Sequence, residues 1–362
     1  MKKFITLVFS LSSFLMLAQT YNSPESIEFD YANNRWFIAN NGGNNILTRN
    51  SNNGTLAVFV ATGFSGGGPH GLEIVGDTLY ACAGNSLRAY NINTAALVFN
   101  INLAATFLNG ITHDNVGNLY ITDYSGNKIY RFNTNTRQFN TFVSSGISSP
   151  NGIIFDQPNN RCVFVQWTGA IRAVSLVDST VTTLVASSGL SSIDGITKDG
   201  SGNYYLSSWS PTRITRYSNT FTSPTAVVTT GLSSPADIFY NVLTDTLGVP
   251  NSGSGNNTTY HYFGSPTAIA ESNLENEFNI SVFPNPIKKS ATVTFVLPSD
   301  QKVSVKLFDE KGALVKVVSE EKQYKGQNTL FVSKENLSAG NYYLSFMFEN
   351  NKQQIQKLII AE

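Results

Sequence analysis

Glu25, His70, Asn109, Asn151 and Asp194 occupy one position in successive copies of a short motif, and all five carry atoms that ligate metals or form hydrogen bonds. The copies read Pro24-Glu25-Ser26-Ile27, Pro69-His70-Gly71-Leu72, Leu108-Asn109-Gly110-Ile111, Pro150-Asn151-Gly152-Ile153, Ile193-Asp194-Gly195-Ile196 and Pro235-Ala236-Asp237-Ile238. Two carboxylates and two amide oxygens converging on one axis are the hard ligands that Ca²⁺ prefers, with water completing its shell. A second group, Asn40, Asn41, Asp123, Tyr124, Gln166, Trp167 and Trp209, falls at strand ends or in the loops after them, and is expected to surround the same point. Flat rings beside amides and carboxylates suit a sugar or a peptide, because the rings supply contact area while the polar groups fix orientation.

The spacing of the motif says what positions these residues. Its third place falls at 26, 71, 110, 152, 195 and 237, so the steps are 45, 39, 42, 43 and 42 residues. Each step is the length of a four-stranded propeller blade. The best-preserved copy, residues 109–132, reads as three short strands joined by turns at Asn115-Val116-Gly117-Asn118 and Ser125-Gly126-Asn127, with no room for a helix. Six copies predict an all-β, six-bladed propeller. The motif opens the innermost strand of each blade, so its second residue is expected to point into the central channel near one face. The sixth copy is the weakest. Either residues 265–270 or the segment 20–23 is expected to complete its blade.

The run Gly110-Ile111-Thr112-His113-Asp114, Gly117-Asn118-Leu119-Tyr120-Ile121-Thr122-Asp123 and Asn127-Lys128-Ile129 resembles an NHL-type repeat. With Pro150-Asn151-Gly152 and Asp194-Gly195, residues 23–264 also resemble the gluconolactonase and senescence-marker (regucalcin) propellers. That resemblance implies a divalent cation, calcium for preference, held by Glu25, Asn151 and Asp194, with Asn109 facing a substrate. It also implies a rival function, a metal-dependent lactonase or esterase in which Asp194 or a metal-bound water acts as the base. Two departures weigh against lactone recognition. Phe107 stands where the family commonly has Arg, and Glu25 is followed by Ser-Ile in place of Gly-Pro.

Other motifs fail on context. Gly63-Phe64-Ser65-Gly66-Gly67 has the spelling of a nucleophile elbow, but it lies in an inter-blade loop with no strand-to-helix turn. The glycine run from Gly66 to Gly71 leads into a strand, so no helix N-terminus is offered to a pyrophosphate. The three histidines fall in different blades, against a zinc site or a serine triad. Charged residues make up 13% of the chain and the formal net charge is zero, which leaves no basic patch for nucleic acid. Cys82 and Cys162 fall in the second and fourth repeats, too far apart to be bridged, and are expected to be buried thiols.

Lys2-Lys3 and the apolar run that follows read as a secretory signal, residues 1–18, too short to span a bilayer. The propeller is expected over 19–270 and a polar linker over 271–277, with no membrane-spanning segment in the mature chain. Over residues 278–362 lysine and glutamate become commoner, and apolar residues alternate at 293, 295 and 297, at 303, 305 and 307, and at 342, 344, 346 and 348. That pattern predicts a small Ig-like β-sandwich. The segment closely resembles the type A C-terminal sorting domain of the type IX secretion system of Bacteroidota. The match is carried by Pro284, Asn285 and Pro286 in Val-Phe-Pro-Asn-Pro, by Gly312 after Asp309-Glu310-Lys311, and by Gly340 before Asn341-Tyr342-Tyr343. It implies recognition by the outer-membrane translocon, then release or surface display. The sequence therefore reads as a secreted or surface-displayed propeller with an extracellular ligand at its channel mouth.

Overall fold

The computed structural model describes residues 20–64, 67–263, 278–310, 313–348 and 353–361. The signal at 1–18, the linker at 271–277 and Gly312 lie outside them.

Asp114 shows how the chain is made to turn. Its Oδ1 accepts the backbone N–H groups of Val116 at 3.0 Å and Asn118 at 2.8 Å, while Oδ2 accepts the Asn118 side-chain amide at 2.8 Å and the Tyr120 hydroxyl at 3.2 Å. Asp199 repeats the device with Ser201, Asn203 and Tyr205. Local bonds of this kind compete with helix and favour a turn. The strands on either side then pair antiparallel, Leu108–His113, Asn118–Asp123, Lys128–Asn133 and Phe139–Val143 lying side by side in one sheet.

Among the described residues, residues 24–228 form five such four-stranded sheets, and Phe239–Asn241, Thr246–Asn251 and Asn257–Tyr262 form a three-stranded one. The innermost strands are Pro24–Asp30, Leu72–Val75, Leu108–His113, Pro150–Asp156, Ser191–Lys198 and Phe239–Asn241. Each touches the next and the last touches the first, so the repeated sheets form a propeller-like ring around a channel. The seam is made by the Asp237 N–H donating to the Glu25 carbonyl at 2.9 Å. Residues 20–23 supply no strand there. They are tied to the sixth sheet by single bonds, from Ser23 N to Asn256 Oδ1 at 2.8 Å and from the Thr258 hydroxyl to Tyr21 at 2.9 Å. Residues 265–270 lie outside the described part.

The glycine at the motif's third place has a packing reason. A β-carbon at Gly71 would stand 2.2 Å from the Asn109 carbonyl oxygen, one at Gly110 2.6 Å from that of Asn151, and one at Gly152 2.7 Å from that of Asp194. Neighbouring inner strands approach too closely there for any side chain. The next residue in every copy, Ile27, Leu72, Ile111, Ile153, Ile196 and Ile238, is buried. Cys82 and Cys162 are buried as well, and no disulfide joins them.

The C-terminal part is two sheets sharing one apolar core. Ser281–Phe283, Ser290–Leu297 and Gly326–Ser333 form the first. Gln301–Asp309 pairs with Leu314–Ser319, Lys322–Gln323 and Gly340–Phe348 in the second, and Gln353–Ile360 forms its edge. Val293, Phe295 and Leu297 meet Val303, Val305, Leu307, Leu344, Phe346 and Phe348 between them, so the alternating positions all point inward. Asn285 clips the last strand, its side-chain amide donating to the Lys357 carbonyl at 3.0 Å and its Oδ1 accepting from Ile359 N at 2.8 Å.

Candidate functional site

Four inner strands carry the motif's second residue near their start, while His70 lies just before the strand Leu72–Val75, its N–H bonded to the Cys82 carbonyl at 2.9 Å. His70, Asn109, Asn151 and Asp194 are buried and Glu25 is half-buried. The site's chemistry lies in what these groups lack. Asn151 Oδ1, Asp194 Oδ1 and His70 Nδ1 are buried without a hydrogen-bond partner, although orphaned polar atoms are costly and rare in folded proteins. The other imidazole nitrogen of His70 stands 3.0 Å from Asn41 Nδ2, and burial lowers the ring's pKa to about 4, which keeps it neutral.

Electrostatics tie the acids together. Burial pushes Glu25 up to about 7. Burial first, then the charges of Glu25 and Asp237, hold Asp194 well above the ordinary carboxylate range, against hydrogen bonds from Trp209 and Asn151 that pull it down. Asp237 is raised to about 7 mainly by burial, with Glu25 and Glu73 adding to it and a hydrogen bond from Ser26 at 3.3 Å opposing. Among the described residues no lysine or arginine pairs with Glu25, Asp194 or Asp237.

Above the acids runs a crescent of rings. His70 and Phe107 meet edge to face at 4.5 Å, Phe107 and Tyr124 at 6.0 Å, Tyr124 and Trp167 at 5.9 Å, and Trp167 and Trp209 at 5.0 Å. Trp209 is the most open of the three rings expected at the mouth, 37% exposed, and its indole N–H donates to the Pro235 carbonyl at 3.2 Å. Phe107, noted in the sequence as a missing arginine, is thus the ring that joins His70 to the crescent.

Two expected ligand-binding residues do other work. The Asp123 carboxylate accepts the backbone N–H groups of Thr106 at 2.9 Å, Phe107 at 2.8 Å and Gly126 at 2.9 Å, so its acceptor capacity goes into building the loops beneath the rings. Gln166 donates to the Ser148 carbonyl at 2.5 Å and is buried. Asp237, not among the residues expected at the site, acts on Asp194 together with Glu25. Its one mark in the sequence is that it breaks the glycine rule at the motif's third place, as Ser26 does in the adjoining strand.

Asp194 is acted on by the charge of Glu25 and by a hydrogen bond from Asn151, and the two orphaned Oδ1 atoms are the ones a hard ion would use. They supply few of the six to eight oxygens that calcium takes. No group of three or more His, Cys, Asp or Glu residues able to hold a metal occurs among the described residues. A cavity of about 680 Å³ runs along the channel from Asp237 and the apolar residues next to the motif, such as Ile111 and Ile196, to Asp156 and Lys198 and to Glu310 and Leu314 of the C-terminal part. None of the mouth residues expected to bind a ligand lines it.

Residues 281–361 match the family described as a secretion system C-terminal sorting domain. Such a tail is the one recognised by the type IX secretion system, and it marks the chain for secretion or cell-surface display. No curated protein matches the chain in sequence. Among solved structures, a catalytically inactive virginiamycin B lyase from Staphylococcus aureus with quinupristin is similar at 15% identity, over 96% of this chain and 97% of that one, with a TM-score of 0.52. Regucalcin from Agrobacterium tumefaciens, a calcium-binding protein, is similar at 17% identity over 64% of this chain and 83% of that one, with a TM-score of 0.52. A protein of unknown function from Bacteroides thetaiotaomicron reaches a TM-score of 0.57 at 12% identity, over 68% of this chain and 70% of that one. At these identities the likeness is one of fold.

Proposed function

We propose that this chain is a six-bladed propeller, exported by the type IX route, which binds an extracellular ligand at the end of its channel where Glu25, His70, Asn151 and Asp194 lie beneath the Phe107 to Trp209 crescent. The observation that carries the reading is the set of orphaned buried atoms under open rings. A fold that leaves Asn151 Oδ1 and Asp194 Oδ1 unpartnered gains nothing from them unless something binds there. The C-terminal segment is an address, and the propeller is the cargo. The direct test is to titrate the full chain against glycan, peptide and small-molecule panels, following tryptophan fluorescence, with Trp167→Ala and Trp209→Ala alongside. A ligand whose binding both variants weaken supports the mouth. A ligand indifferent to both moves the function elsewhere. Deleting residues 278–362 is expected to strand the propeller in the periplasm, and secretion at normal yield would refute the export assignment.

A second reading is favoured by the same orphaned oxygens, a divalent ion held by Glu25, Asn151 and Asp194, with water as its remaining ligands. Bound there, the ion would polarise a lactone or ester carbonyl, and Asp194 would hold the proton of an attacking water. Lactone hydrolysis that requires the ion and is lost in Asp194→Asn would establish it. Phe107 in place of a cationic side chain ranks it second.

A further inference from the structure

We propose that the ligand group taken by this mouth is a protonated amine, seated against the Phe107, Tyr124, Trp167 and Trp209 rings with its N–H groups directed at Asp194 Oδ1 and Asn151 Oδ1. The inference rests on the mouth being a binding site and names the chemistry it selects.

Three features converge on it. Asp194 and Asn151 are each 2% exposed, and each keeps one bare oxygen acceptor, so the missing partner is a donor. Glu25 and Asp237 lie near Asp194 with no lysine or arginine paired to any of the three among the described residues, so the missing partner also carries positive charge. The wall beside these acids is aromatic, four rings in edge-to-face succession, and ring faces attract an organic cation. A bare divalent ion would use the acids and ignore the rings, and would still need water for most of its shell. A neutral sugar would use the rings and leave the charge unmatched. A protonated amine uses both. Primary and secondary amines also supply the N–H groups that a quaternary ammonium lacks.

The test uses the full chain at pH 8 and four probes: benzylamine, benzyl alcohol as its neutral isostere, tetramethylammonium as the cation without N–H groups, and calcium chloride. Tryptophan fluorescence and the melting temperature are followed for each. Benzylamine is expected to bind saturably and to raise the melting temperature, with benzyl alcohol and tetramethylammonium each weaker by at least tenfold. Asp194→Asn keeps the shape of the side chain, and its melt verifies folding. It is expected to weaken benzylamine at least tenfold and leave benzyl alcohol unchanged, while Glu25→Gln gives a smaller loss in the same direction. Equal binding of amine and alcohol, or benzylamine binding indifferent to Asp194→Asn, would overturn the proposal. So would a calcium shift that depends on Asp194 and displaces benzylamine, which would assign the acids to a metal. If amines fail while a panel ligand binds in a manner sensitive to Trp167→Ala and Trp209→Ala, the ligand class is wrong and the mouth stands. If neither tryptophan affects any ligand, the mouth itself is wrong.

Discussion

The two ends of the channel hold similar acids in opposite states. At the end away from the mouth, Asp156 is locked between Arg161 Nε at 2.8 Å and Lys198 Nζ at 2.9 Å, with Asn159 donating at 2.8 Å. Burial alone would raise its pKa, but the bonds from Lys198, Arg161 and Asn159 outweigh burial and hold it below the usual value. Asp30 is paired with Arg35 at 3.0 Å in the same way. At the mouth, Asp194 and Glu25 have no such partners, and burial wins. The first arrangement is what a fold does with an acid it needs for itself, while the second leaves charge and acceptor capacity for something that is not part of the chain.

The contrast can be broken most severely at the paired end. Asp156→Ala would leave Arg161 and Lys198 facing an apolar gap, and a loss of about 3 kcal/mol is expected in urea unfolding, the low end for a broken buried pair because both bases are partly open to water. A change below about 1 kcal/mol would mean the pairs are ornamental. Next in size is the ring itself. Gly152→Ala would place a methyl group 2.7 Å from the Asp194 carbonyl oxygen and 2.8 Å from Gly195 Cα, so a loss of about 2 kcal/mol is expected, together with weakened binding at the mouth. A neutral outcome would show that the inner strands part easily.

Acidity tests both ends at once, with opposite signs. Glu25 and Asp237 have pKa values raised to about 7, so the folded chain binds more protons than the unfolded one between roughly pH 4 and 7. Their contribution is fully present below the ordinary carboxylate range and is lost as pH rises through 7. Asp156 has a lowered value, and its contribution is lost only in strong acid. Without ligand, stability is expected to drift down by about 1 kcal/mol from pH 5 to pH 8, the half-buried positions of Glu25 and Asp237 limiting the effect, and Glu25→Gln is expected to flatten the drift. Stability rising across that window would contradict the unpaired state of these acids. The smallest effect belongs to Trp209→Ala. Its ring is 37% exposed, so a stability change under about 1 kcal/mol is expected with a large loss of binding, and the reverse pattern would make the crescent a packing feature.

Much of this contrast could be read from the chain itself. The repeat was legible because Asn-Gly and Asp-Gly recur wherever inner strands approach within reach of a carbonyl, a constraint that only glycine meets. The turn at 115–118 was legible from its Asn and Gly residues, while the Asp114 and Asp199 bonds that close such turns are seen only in the structure. The alternation in the C-terminal part gave its buried face residue by residue. The uses of Asp123 and Gln166 were not legible, because their partners are backbone groups of loops 16 to 18 residues away in sequence. Asp237 was not legible as a site residue, because the other copies carry their polar group at the motif's second place and only at the seam does the third place bear a carboxylate. Phe107 was read for the charge it lacks, and its ring contacts emerge only when the second and third sheets are set side by side.

The claim that the mouth acids lack a cationic partner within the fold is tested most directly by comparing Asp194→Asn with Asp156→Asn in chelator at pH 8, measuring urea unfolding of each full chain against the parent. Replacing the acid at 194 by a neutral amide is expected to raise stability or leave it unchanged, since it removes repulsion with Glu25 and Asp237, while the same change at 156 lowers it. If Asp194→Asn proved as destabilising as Asp156→Asn, its carboxylate would be a structural partner of the fold, and the mouth would lose its standing as a binding site.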